Sequence, residues 1–437
     1  MANSPEERAH WRDVLRAFDG YMQYHLSANH ARRMAFLALP RDARDVFETL
    51  GYREKLEAVD EGIRLNAEFI DLMIADPVFA DMLAEPEGAG RDDESLDGDG
   101  DGHGHGHGHG HGHGHGHAHG HADGPAPAGK TAAAERDLRQ DKVRSTLRSF
   151  VRDWAVEGRA ERDACYAPIL AALDAHFPAA GRGDVKVLVP GCGLGRLAME
   201  IAARGFWAQG NEFSTYMLIG SHFALNQSTR VGEHTIFPWL HSFSNHSSTE
   251  HGLLRSVRVP DVVPADILGG RGWFSLVAGD FEEVYGPTHW FGDGEEEGNG
   301  HGAQVRDEED EEEHGRINQR GRWGAVVTCF FIDTARNVLN YLRIIHGLLA
   351  DGGVWINVGP LLWHFENAGT SPKGEGSIEL SLDEVKALAR MVGFEISNER
   401  TISSTYTGVP DSMLEHVYNC AFWTATKVKP EGRAITA

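Results

Sequence analysis

Apolar positions recur at helical spacing over residues 5–85: Trp11, Val14, Leu15 and Phe18, then Leu56, Val59, Ile63, Leu65, Phe69, Ile70 and Met73. The same spacing returns over 139–177, with Leu147, Phe150, Val151 and Trp154 on one face. From residue 187 the period changes. Apolar runs at 187–190, 207–211, 274–278, 324–330 and 353–358 alternate with helical patterns at 194–204, 214–226, 334–349 and 382–392, and further strands are predicted at 394–400 and 417–427. Alternation of this kind specifies an α/β fold, a mostly parallel seven-stranded sheet with helices on both faces, preceded here by an N-terminal helical region. In such a sheet ligands sit at the carboxyl ends of the strands.

Two stretches interrupt the pattern. Residues 86–138 are rich in His, Gly and Asp, and 287–320 are Gly and acid; neither has the apolar content to offset the entropy of ordering it. The expected organisation is a helical region 1–85, a disordered linker 86–138, an α/β domain 139–428 with a disordered acidic insertion 287–320, and a tail 429–437. The chain has 437 residues and a formal charge of −24, which argues against a nucleic-acid backbone or an anionic membrane as main partner. Much of that excess lies in the two interruptions, including Asp307 to Glu313, so it says little about an active site.

The tract His103–His121 alternates imidazole with glycine or alanine and holds ten of the 25 histidines. It can chelate Zn²⁺ or Ni²⁺, but a glycine-spaced tract has no fixed ligand geometry, so the affinity is read as adventitious and no metal is assigned to the active site. The four cysteines (Cys165, Cys192, Cys329, Cys420) form no Cys-x-x-Cys pair. With no apolar run long enough to span a bilayer, a reducing, cytoplasmic and also nuclear location is expected.

The segment Val187-Leu-Val-Pro-Gly-Cys-Gly-Leu-Gly-Arg-Leu-Ala198 is a strand that stops at a glycine turn and opens a helix. That arrangement puts bare backbone N–H groups where a nucleotide-type cofactor can approach. Arg196 follows Gly195, so the third glycine of a dinucleotide loop is missing, and no Gly-Lys-Ser/Thr marks a phosphate loop. S-adenosylmethionine (SAM) is the remaining common occupant. Glu212, about 20 residues on, is expected to accept both ribose hydroxyls.

The other strand ends add Asp280 and Phe281 for an adenine, Asp333 after Thr328-Cys-Phe-Phe-Ile, and His364 in Leu361-Leu-Trp-His-Phe-Glu366. Singly, each has a plainer reading: Asp280 and Asp333 as helix caps, His364 as a satisfied surface or core histidine. Their joint placement at successive strand ends favours one site.

Long blocks carry a family resemblance. Ser149-Phe-Val-Arg-Asp-Trp154, Ala160-Glu-Arg-Asp-Ala-Cys-Tyr166, Gly279-Asp-Phe-Glu-Glu-Val-Tyr285, Cys329-Phe-Phe-Ile-Asp-Thr-Ala335, Trp355 through Glu366 and Ser404-Thr-Tyr-Thr407 together resemble the carnosine N-methyltransferase family over roughly 5–85 and 140–428. The resemblance implies a Rossmann-like, SAM-dependent methyltransferase, a homodimer, that methylates the imidazole of carnosine to give anserine. It implies SAM contacts from Arg152, Gly191, Gly193, Glu212, Asp280, Phe281 and Cys329, with Ser149 standing where the family often has glutamine. It also implies that Asp333, His364 and Tyr406 hold the dipeptide and form the catalytic set.

The chemistry agrees with this set. Methyl transfer from a sulfonium is an in-line displacement, so catalysis is chiefly alignment of a neutral imidazole nitrogen, at ~3 Å, in a site that excludes water. The other ring nitrogen must be hydrogen-bonded so that one tautomer is fixed, and a carboxylate such as Asp333 can do this. Two further readings stay open: a methyltransferase acting on histidine in a protein or longer peptide, and a non-enzymatic metal-buffering scaffold.

Overall fold

The computed structural model describes residues 4–79, 132–269, 273–287, 319–366, 368–369 and 376–428. The His-Gly tract, most of the expected linker and acidic insertion, and the tail 429–437 lie outside the described residues.

Seven strands form the main sheet: β1 (Lys186–Pro190), β2 (Trp207–Glu212), β5 (Trp273–Ala278), β6 (Trp323–Cys329), β7 (Leu349–Gly359), β8 (Phe394–Ser404) and β9 (Tyr418–Lys427). Their order is β5-β2-β1-β6-β7-β9-β8. All neighbours are parallel except β9, which runs antiparallel to both β7 and β8. The chain builds outward from β1 to β5 and then returns to lay β6 against the other side of β1. That reversal opens a crevice beyond the carboxyl ends of β1 and β6, where an open α/β sheet takes its ligand. Pro190 is tolerated because it is the last residue of its strand, where the ladder ends.

Helices Ala132–Trp154, Arg159–His176, Arg196–Ala203, Thr215–Asn226, Val338–Leu348 and Leu382–Val392 flank the sheet. The last starts at a Ser381/Glu384 capping box and stops at Gly393, whose φ of +115° suits glycine. Among the described residues no helix is long and apolar enough to cross a membrane.

The N-terminal helices Pro5–Asp19, Tyr21–Leu37, Arg41–Thr49 and Tyr52–Ile74 do not stand apart. Val14, Phe18, Ile63, Phe69 and Ile70 share one buried core with Phe150, Tyr216 and Phe223 from the helices beside the sheet. Burial of this apolar face, at roughly 25 cal/mol per Å², is what holds them in place. A two-stranded hairpin that the pattern did not reveal, β3 (His234–Ile236) with β4 (Val257–Val259), completes that core. Asn66, fully buried, clasps it: the side chain accepts from Phe237 N–H at 2.7 Å and donates to the Phe237 carbonyl at 2.9 Å.

Several boundaries move. The Ala132–Trp154 helix begins inside the stretch read as linker. The helix expected over 334–349 begins at Val338, because Ile332–Thr334 forms a 3₁₀ turn and Asn337, not Asp333, caps it by accepting from Leu339 N–H at 3.1 Å. β7 begins at Leu349 rather than 353, and β8 runs on to Ser404.

Candidate active site

β1 ends in the glycine turn, with Gly191, Gly193 and Gly195 at φ +63°, +56° and +82°. A Cβ on Gly191 would lie 2.6 Å from the Phe331 ring, so this position requires glycine on space as well as on dihedral. The N–H groups expected to be bare are largely engaged within the protein. Cys192 N–H donates to the Asn211 carbonyl at 3.1 Å, Gly193 N–H to Glu212 Oε2 at 2.8 Å, Leu194 N–H to Asp153 Oδ2 at 3.4 Å and Gly195 N–H to the Cys192 carbonyl at 2.9 Å. Backbone N–H groups in a buried turn must be paired, and neighbouring acceptors pair these. The turn therefore offers a close backbone approach more than a row of open donors.

Glu212 is likewise bonded to backbone amides. Its Oε1 accepts from Phe213 and Ser214 N–H at 2.9 and 2.8 Å while Oε2 takes Gly193. This carboxylate ties the end of β2 to the glycine turn before any ribose is considered. Burial raises its pKa, against the pull of the three N–H groups.

Arg152 closes the Ala132–Trp154 helix, half-buried. Its guanidinium lies over the Tyr406 ring at 4.4 Å and pairs with Asp153 at 3.1 Å and Glu161 at 3.4 Å. Glu161 also fixes the segment after β8: it accepts from Thr405 Oγ1 at 2.7 Å, Thr407 N–H at 2.7 Å and Gly408 N–H at 3.2 Å. Those bonds hold Thr407 at φ +49°, and the Tyr406 ring beside it packs tilted against Phe330 at 4.7 Å. On the opposite wall Phe331 stacks on Tyr341 at 4.9 Å and meets Phe281 edge-on at 5.3 Å, an aromatic slot suited to a purine. Asp280 is indeed a helix cap, its Oδ1 accepting from Glu282 and Glu283 N–H, and it borders the cleft as well.

One cleft thus gathers Ser149, Arg152, Gly191, Gly193, Glu212, Asp280, Phe281, Cys329 and Tyr406. Asp153, Asn211, Phe331, Thr334 and Tyr341 also line it and were not singled out from the sequence. Asp153 was legible as the immediate neighbour of Arg152; Tyr341, on the helix after Asp333, gave no signal. Asp333 and His364 do not line the cleft; Asp333 lies in the 3₁₀ turn between Phe331 and Thr334, which do. Asp333 is 3% exposed; its Oδ2 accepts Leu362 N–H at 2.9 Å and its carbonyl accepts His364 N–H at 3.0 Å. The loop after β7 is thereby bound to the turn after β6. Burial pushes the Asp333 carboxyl up to about 7.

The residues present fit SAM: a close-approach glycine turn, an aromatic slot, and a guanidinium beside a carboxylate for the zwitterionic amino-acid end. A family model described as carnosine N-methyltransferase matches residues 130–429. The chain is 40% identical to the carnosine N-methyltransferase of Schizosaccharomyces pombe over 67% of its length and 72% of the relative's. It is also 40% identical to the mouse protein of that name, over 66% of this chain and 63% of the mouse chain. A SAM-dependent methyltransferase from Methanosarcina mazei superposes with a TM-score of 0.33 at 12% identity, covering 60% of this chain and 97% of that one, and adds nothing to the sheet order. The chain belongs to the carnosine N-methyltransferase family, and with that family it is a SAM-dependent N-methyltransferase.

Proposed function

We propose that the protein transfers a methyl group to an imidazole nitrogen of carnosine, giving anserine and S-adenosylhomocysteine, and that other short histidine peptides fall within the same chemistry. Its relatives bear the carnosine N-methyltransferase name. The observation that carries the reading is Asp333, a buried carboxylate beside the cleft, held by the loop that bears His364.

Bound SAM supplies an electrophilic sulfonium methyl. The protein's task is to present one imidazole nitrogen with its lone pair free and the ring fixed. Asp333 accepts the N–H of the other ring nitrogen, which selects the tautomer and balances the positive charge that forms on the ring as the bond is made. His364 and Tyr406 orient the ring and the peptide part. Arg152 holds the cofactor's carboxylate while Phe281, Phe331 and Tyr341 hold its purine. The aromatic walls exclude water, which strengthens the Asp333 interaction.

In the ligand-free enzyme Asp333 is protonated below about pH 7 and then cannot accept an N–H in its charged form. The imidazole of the substrate, at an ordinary pKa of roughly 6.5, loses its nucleophilic lone pair over the same range. Both effects act in one direction, so kcat/KM falls as pH drops below neutrality. The test is an assay of purified protein with labelled SAM against carnosine, other histidine dipeptides and free histidine, with the product identified by NMR. Methylated carnosine is expected, and label in no histidine dipeptide overturns the proposal.

A further inference from the structure

A second cavity of about 200 Å³ lies on the far side of the Thr405–Thr407 segment from the cofactor cleft and shares Arg152 with it. That space is many times the roughly 10–15 Å³ that one water needs. Arg148, one helical turn before Arg152 on the same helix, lines it. Among the described residues no carboxylate pairs with Arg148, and its Nε is buried without an acceptor. Burial and the neighbouring Arg144 push the guanidinium down to about 10. Arg144 has Asp141 as its own partner, whereas a half-buried guanidinium without a carboxylate is a costly arrangement that proteins ordinarily offset. The carboxylates in the cavity do not serve. Glu161 is taken up by Arg152 and the 405–408 segment, Glu157 is half-buried with no bond to Arg148, and Glu415 is exposed. Trp239 and Val409 complete an apolar side.

We propose that this cavity is a binding site for a zwitterionic peptide, whose carboxylate pairs with Arg148 while its ammonium meets Glu157 or Glu415. The ligand class follows from the charges: one unpaired guanidinium inside and carboxylates at the mouth match a molecule with an anionic and a cationic end. The inference rests on the histidine-dipeptide reading above. The same chemistry has two sources, the tail of the acceptor itself reaching round Tyr406 or a second peptide molecule bound beside it. Either occupant bears on Tyr406, because its two flanking residues, Thr405 and Thr407, line the cavity.

The test is calorimetry of the full chain saturated with S-adenosylhomocysteine, titrated with carnosine and with β-alanyl-histamine, which lacks only the carboxylate. Wild type is expected to bind carnosine about tenfold to a hundredfold more tightly, the range of a buried charge-assisted bond. Arg148→Gln is expected to bind the two ligands alike and to keep its affinity for S-adenosylhomocysteine. A stoichiometry of one assigns the site to the acceptor's own tail; a stoichiometry of two assigns it to a second molecule. Equal binding of both ligands by wild type overturns the proposal without any need of the variant, as does a variant that retains the full preference. Transfer of label from SAM to both ligands is measured in parallel. Equal transfer with equal binding removes this site and leaves the proposed function standing, whereas no binding or transfer with either ligand removes both.

Discussion

Leu362 donates its backbone N–H to Oδ2 of Asp333 at 2.9 Å, while the carbonyl of the same aspartate accepts from His364. The turn after β6 and the backbone of the loop after β7 are therefore tied together. Asp333→Asn keeps an oxygen for Leu362 and removes only the charge. Its kcat/KM is expected to fall by about 2–4 kcal/mol in transition-state terms, with SAM affinity nearly unchanged. Steady-state kinetics beside a cofactor titration check both halves, and near wild-type turnover would remove Asp333 from the mechanism.

The same variant has a stability signature. Asp333 is near 7 when folded against an ordinary value of about 3.9 unfolded. A raised carboxyl pKa means the folded state binds the proton more tightly, so stability is fullest below about pH 4 and is lost as pH rises towards 7. Asp333→Asn is spared that loss. Without ligand it should be more stable than wild type above pH 7, on the order of 1–3 kcal/mol, with the gap narrowing toward pH 4. Thermal melts at several pH values decide the sign.

Glu212 receives three backbone N–H groups and bridges β2 to the glycine turn. Glu212→Ala leaves those donors unpaired in a buried place. Losses of roughly 1–3 kcal/mol are expected both in SAM affinity and in the stability of the unliganded protein. Calorimetry with unchanged affinity would contradict the role in cofactor binding.

Gly191→Ala places a methyl 2.6 Å from the Phe331 ring at a φ of +63°. Phe331 is stacked on Tyr341 and cannot withdraw without opening the aromatic slot. SAM binding is expected to weaken by at least tenfold, on the order of the 1–3 kcal/mol that such backbone strain costs. Wild-type affinity in this variant would show that the slot yields.

The strand ends were legible because each combines an apolar run with a break in period, and the parallel strands β1, β2, β5, β6 and β7 bring theirs to one edge of the sheet. The residue types at those ends placed Gly191, Gly193, Glu212, Asp280 and Phe281 around one cleft, and the family resemblance added Ser149, Arg152, Cys329 and Tyr406. Partner choice was not legible. Glu212 and the glycine turn satisfy each other, a pairing no motif announces, and although Asp280 reads as a cap, its helix of five residues is too short for periodicity to reveal. The β3–β4 hairpin escaped for a similar reason: three residues per strand carry too little alternation to be read.

The pairing of the glycine turn's own amides has a kinetic meaning. A loop already locked by Glu212, Asn211 and Asp153 has little freedom left to surrender when the nucleoside arrives. Capture of the methyl donor should then be close to a rigid docking event, with slow closure steps confined to the peptide side, around Tyr406.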